Sequence, residues 1–126
     1  MKKILIVDDD PDLREAIKTI LKDKYEFEEA GAKTEMFAVL SKFQPDLIIL
    51  DVMMDTTSTG FEITRELRKD KRLKKIKILM LTSVDEVTNI DFKSSAGDSE
   101  WLPVDDYLTK PIEPKVLLSK IAALLK

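Results

Sequence analysis

The sequence predicts an α/β fold: a doubly wound, five-stranded parallel sheet with helices on both faces. Three observations predict it. Two uninterrupted aliphatic runs, Ile4-Leu5-Ile6-Val7 and Leu47-Ile48-Ile49-Leu50, read as strands buried on both faces. Strand patterns alternate with apolar positions at helical spacing, which is the order of a parallel sheet joined by right-handed crossovers. Finally, the aliphatic runs end in acids, Asp8-Asp9-Asp10 and Asp51, where chemistry collects in such sheets.

The first strand is Lys3 to Val7. Pro11 suits the first turn of a helix, with Asp10 as its N-cap. Leu13, Ala16, Ile17, Ile20 and Leu21 carry that helix to about Lys22. Tyr25 to Ala30 alternates as a short second strand and Gly31 punctuates it. A second helix, Lys33 to Phe43, has Met36, Phe37, Val39, Leu40 and Phe43 on its apolar side. Pro45 to Asp51 is the third strand. Phe61 to Lys71 is the third helix, and Ile76 to Leu81 the fourth strand, ending at Thr82-Ser83. From Val84 to Val104 the pattern weakens, and Ser94 to Ser99 has loop composition. Asp105 to Thr109 is a fifth strand, followed by Lys110-Pro111. Pro114 to Leu125 is a final helix. One domain over residues 1–126 is expected, with no output domain.

Composition removes several classes of function. The chain has 126 residues, 44% hydrophobic and 36% charged, enough for a core of its own. A net charge of -3 gives no global bias towards nucleic acid or acidic lipid. Without cysteine there are no disulfides, thiolate metal sites or cysteine nucleophiles. Without histidine there is no His-based acid/base chemistry, and most zinc sites are excluded. The apolar run after Met1-Lys2-Lys3 is too short for a signal peptide or a membrane span, so a cytoplasmic protein is expected.

In a doubly wound sheet the strand ends share one edge. Asp8 and Asp9 follow the first strand, Asp51 the third, Thr82 the fourth and Lys110 the fifth. The switch point between the first and third strands sets Asp9 and Asp51 side by side. Crowded carboxylates resist joint ionisation. A dication relieves this, and oxygen-only ligands with retained water suit Mg²⁺. Asp51 is then the candidate nucleophile toward phosphorus. Mg²⁺, the Lys110 ammonium and the Thr82 hydroxyl are placed to neutralise phosphoryl oxygens. Each group has a plainer reading: a solvated helix start for Asp8, Asp9 and Asp10, a cap for Thr82, a surface lysine for Lys110. Their joint placement favours the functional reading, although Asp10 is expected only to cap.

Four segments together resemble the receiver domain of two-component response regulators: Ile4 to Asp9, Pro45 to Met54, Leu81-Thr82-Ser83 and Tyr107 to Pro111. The resemblance implies a flavodoxin-like strand order, 2-1-3-4-5. It implies that Asp51 accepts a phosphoryl group from a sensor histidine kinase or phosphotransfer protein. Asp8, Asp9, Asp51 and the carbonyl of Met53 would hold Mg²⁺, and Thr82 and Lys110 would grip the phosphoryl group. Tyr107 matches the family's switch aromatic, coupled to Thr82, and the Lys110-Pro111 peptide is expected to be cis. The downstream partner would be another protein. Neither a DNA-binding domain nor a membrane contact is expected.

The chain departs from the family twice. Asp55 stands where proline is usual, in a loop one residue longer. The segment between Thr82 and Lys110 is also longer and poor in helical pattern, so the family's fourth helix is expected to be short or replaced by a loop anchored by Trp101 and Leu102. Arg65, Arg68, Lys69, Lys71, Arg72, Lys74, Lys75 and Lys77 form a basic cluster, read as a solvated helix end rather than a nucleic-acid patch.

The expected function is therefore a stand-alone phosphoacceptor that catalyses only its own phosphorylation and dephosphorylation. An aspartyl-phosphate phosphatase is the enzymatic alternative, but it commonly needs a second acid two residues after the nucleophile, where Met53 stands. A flavin-binding module needs a hydroxyl- and glycine-rich loop where Asp8-Asp9-Asp10 stands. A degenerate, binding-only receiver is opposed by the intact Asp8, Asp9, Asp51, Thr82 and Lys110 set.

Overall fold

Four consecutive aliphatic residues leave a strand no polar face, and the fold uses both faces. In the computed structural model, which describes residues 2–51, 65–71, 73, 75–82 and 105–126 without the side chains of Lys33 and Thr82, five strands form one parallel sheet. They are β1 (Lys3–Val7), β2 (Glu26–Ala30), β3 (Leu47–Asp51), β4 (Lys77–Thr82) and β5 (Asp106–Thr109). Their order is β2-β1-β3-β4-β5, so the expected 2-1-3-4-5 topology is present.

Successive side chains of a strand point to opposite faces, and the core divides on that period. Ile4, Ile6, Leu47, Ile49, Leu79 and Leu81 share one face with Ile17 and Leu21 of α1 (Pro11–Leu21) and Leu117 and Ile121 of the C-terminal helix (Pro114–Leu124). Leu5, Val7, Ile48, Leu50, Ile78 and Met80 share the other with Met36 and Leu40 of α2 (Lys33–Leu40) and Leu67 of a helical stretch over 65–69. All of these side chains are buried, and each contributes about 1.5–3 kcal/mol. At the β2 edge of the sheet Glu26 and Glu28 are exposed, charges that discourage pairing with another chain.

The helix ends have local causes. Asp10 caps α1 as expected, its Oδ1 accepting the N–H groups of Asp12 at 3.0 Å and Leu13 at 3.4 Å. Pro11 follows at the first helical position, where a missing N–H costs nothing. Helix α2 stops at Leu40, short of the expected Phe43. Ser41 Oγ donates to Ala38 O at 2.6 Å, and the N–H groups of Lys42 and Phe43 both turn back to Val39 O. Phe43 still packs, partly buried, on the core of α2.

The basic cluster is exposed at Lys69, Lys71, Lys75 and Lys77, but Arg68 differs. Its guanidinium donates to Ile76 O and to Asp105 Oδ2, each at 2.7 Å, and that carboxylate oxygen also accepts the Ile78 N–H at 2.8 Å. The 65–69 helix is thereby tied to the starts of β4 and β5. Arg72, Lys74, the expected anchors Trp101 and Leu102, and the span where a shortened fourth helix was expected lie outside the described residues.

Candidate functional site

Register brings the acids together. Val7 of β1 is paired with Leu50 of β3, so Asp8 and Asp51, each one residue further on, end neighbouring strands. Asp8 extends the ladder, its N–H donating to Ala30 O at 3.0 Å. Both carboxylates are buried, Asp8 fully and Asp51 to 4% exposure. Asp9 is exposed, yet carboxylate oxygens of Asp8, Asp9 and Asp51 all lie within 4.8 Å of one another. On the β5 side, Lys110 Nζ donates to Asp51 Oδ2 at 3.2 Å, and the Lys110-Pro111 peptide is cis, as expected. Leu81 is the β4 partner of Asp51, and Thr82 follows it at the same sheet edge, paired with Thr109. Tyr107 is paired with Met80 and half-buried against the core. Asp8, Asp9, Asp51 and Lys110 thus converge around one point, with Thr82 beside them in the ladder. Met53 and Asp55 lie outside the described residues.

The electrostatics are those of a crowded anionic pocket. Burial pushes the Asp8 carboxyl up to about 7, opposed by the hydrogen bond from the Asp10 N–H and helped by the Asp51 charge beside it. Asp8 Oδ1 accepts that N–H at 2.9 Å, but Oδ2 is buried with no hydrogen-bond partner. An unsatisfied buried carboxylate oxygen is costly. Among the described residues three carboxylates face the Lys110 ammonium, an excess of negative charge that a dication matches. Oxygen-only donors select a hard cation, so Asp8, Asp9 and Asp51 fit Mg²⁺ in number, charge and chemistry.

A family model for the response regulator receiver domain matches residues 4–122. The chain belongs to this family. Among curated proteins it is 39% identical, over 99% of its own length and 52% of the relative's, to the phosphate regulon transcriptional regulatory protein PhoB of Pseudomonas aeruginosa. It is 37% identical, over 100% of its length and 50% of the relative's, to the DNA-binding dual master transcriptional regulator RpaA of Synechocystis sp.. The chain therefore spans about half the length of these relatives. Among solved structures it superposes on the chemotaxis response regulator CheY4 of Vibrio cholerae with a TM-score of 0.82 and 32% identity, covering 99% of both chains. A response regulator from Chloroflexus aurantiacus gives a TM-score of 0.83 and 30% identity, over 98% of this chain and 97% of that one. Receiver domains are phosphoacceptors of two-component systems that interact with histidine kinases and typically bind Mg²⁺ at an acidic pocket. Among the described residues no helix is long and apolar enough to cross a membrane.

Two polar contacts carry no signal in the sequence, one behind the site and one at the opposite edge of the sheet. Arg14, on α1, donates from Nη1 to the Asp8 carbonyl at 2.6 Å and from Nε to Glu29 Oε1 at 2.8 Å. Nothing in a helical period separates such an arginine from an ordinary solvated one. The pattern marks Asp105 only as a strand start, whereas its side chain accepts the Ile78 N–H of β4.

Proposed function

We propose that Asp51 accepts a phosphoryl group from the phosphohistidine of a sensor histidine kinase or phosphotransfer protein, and that this changes which protein the chain binds. The observation that carries the reading is the buried Asp51 carboxylate, set among Asp8, Asp9 and Lys110 at the carboxyl edge of the sheet.

An Asp51 carboxylate oxygen attacks phosphorus, the P–N bond to the donor imidazole breaks, and the imidazole leaves with that electron pair. Asp8, Asp9 and Asp51 would hold Mg²⁺, together with the Met53 carbonyl that the family resemblance implies. When bound, Mg²⁺ supplies positive charge opposite the phosphoryl oxygens. Lys110, already within hydrogen-bond distance of Asp51, follows the developing phosphoryl charge. Thr82 donates its hydroxyl to the same group, and half-buried Tyr107 reports the change along β5. Electrostatic preorganisation of this kind suits phosphoryl transfer, which needs positioning more than covalent catalysis. The chain thus catalyses only its own phosphorylation and dephosphorylation.

Residues 1–126 are read as one receiver unit acting in the cytoplasm, where ATP-dependent kinases make phosphohistidine. The full-length likeness to CheY4 supports a stand-alone switch. The half-length likeness to RpaA and PhoB supports a receiver joined to a DNA-binding effector. The mass of the native product in cells separates these two; the chemistry at Asp51 is common to both.

Incubation with acetyl phosphate and Mg²⁺ should add one phosphoryl group by intact mass, and Asp51→Asn should abolish the gain. An unmodified wild-type protein under those conditions refutes the proposal, and multiple turnover on a phosphomonoester would favour the phosphatase instead.

A further inference from the structure

Asp8 is held at every polar atom but one. Its N–H donates to Ala30 O at 3.0 Å, its carbonyl accepts Arg14 Nη1 at 2.6 Å, and Oδ1 accepts the Asp10 N–H at 2.9 Å. Only Oδ2 lacks a partner. The guanidinium that takes the carbonyl is itself fixed. Arg14 Nε donates to Glu29 Oε1 at 2.8 Å, and Lys18 Nζ donates to the other oxygen of that carboxylate. Gly31 leaves the room: a Cβ there would stand 3.0 Å from Arg14 Nη1 and 3.8 Å from Asp8 O. One side chain on α1 therefore joins the exit of β1 to β2, directly behind the acid pocket.

We infer that Arg14 is a positioning residue for the cation site, clamping the Asp8 backbone so that its free carboxylate oxygen is aimed before the ion arrives. This rests on the reading of Asp8, Asp9 and Asp51 as the Mg²⁺ ligands. Arg14 acts through geometry rather than charge. It touches the Asp8 carbonyl, not the carboxylate, and Glu29 balances its charge. A guanidinium fork serves two acceptors from one rigid plane, which an ammonium cannot reproduce. Partners behind a metal ligand are typically worth about 10–100-fold in metal affinity.

The test is Mg²⁺ titration by calorimetry on the full chain, with urea unfolding of each metal-free variant. Arg14→Met and Arg14→Lys should each weaken Mg²⁺ binding by about tenfold or more. Lys18→Met removes a cation from the same Glu29 carboxylate without touching Asp8, and should bind Mg²⁺ like the unsubstituted protein. If Arg14→Met does not fold, Arg14→Lys is read in its place. A folded Arg14 variant with unchanged Mg²⁺ affinity overturns the positioning role and leaves the site intact. Equal weakening in Lys18→Met overturns it as well, because the effect would then belong to the surface ion pairs. An unsubstituted protein that binds no Mg²⁺ removes the site reading and this role together.

Discussion

Lys110 Nζ lies 3.2 Å from Asp51 Oδ2, joining the ends of β5 and β3 across 59 residues of chain. Asp51 is almost wholly enclosed while Lys110 keeps about a third of its side chain in solvent, 31% against 6% for Asp51. Such a pair contributes little to stability, because solvent screens the ammonium. Its value lies in having a cation in place before any phosphoryl charge develops. Lys110→Met should slow phosphorylation by acetyl phosphate by about 10²-fold, while costing about 1 kcal/mol or less in urea unfolding. A time course of intact mass checks the first figure.

Asp8 supplies a pH prediction. Its folded value of about 7 stands above the ordinary 3.8. The folded state thus holds that proton more tightly, and the metal-free protein loses stability as pH rises from about 4 through 7. Asp8→Asn should raise metal-free stability at pH 8 by up to a few kcal/mol and change little at pH 4. Mg²⁺ at pH 8 should stabilise the unsubstituted protein more than Asp8→Asn. Thermal unfolding at the two pH values, with and without Mg²⁺, measures both effects.

Glu29 works in the opposite sense. The Lys18 ammonium, with Arg14 beside it, holds its carboxyl below the usual 4.5. The stabilisation is present above that value and fades as pH falls through the lowered one. Glu29→Gln should cost no more than about 1 kcal/mol at pH 7, because the carboxylate is partly exposed. Urea midpoints of the two proteins should converge as pH falls below that lowered value.

Asp105 accepts from both Arg68 and the Ile78 N–H. Asp105→Ala strands those donors and should destabilise the fold by about 2 kcal/mol. Asp105→Asn keeps an acceptor for Ile78 and should cost less. Chemical denaturation of the pair decides.

The sheet could be read from the sequence because its strands are buried on both faces. Four aliphatic residues in a row, as in Leu47 to Leu50, have few other homes. The site could be read because its acids stand where those runs stop, and strand order then brings Asp8 and Asp51 together. What could not be read are contacts set by tertiary approach. Arg14 reaching Asp8 O, and Arg68 and Asp105 closing over the start of β4, depend on distances between elements that no local period encodes. The early stop of α2 has a similar cause, since the bond from Ser41 Oγ to Ala38 O competes with the next helical turn.

The position of β5 has a consequence for synthesis. Among the described residues that strand pairs with β4 alone, and Lys110 follows it, 59 residues after Asp51. A nascent chain still holding this segment in the ribosomal tunnel has both of its buried acids but not the lysine between them. The pocket is therefore completed in one step, when Lys110 follows both acids out of the ribosome, rather than growing as the polypeptide lengthens.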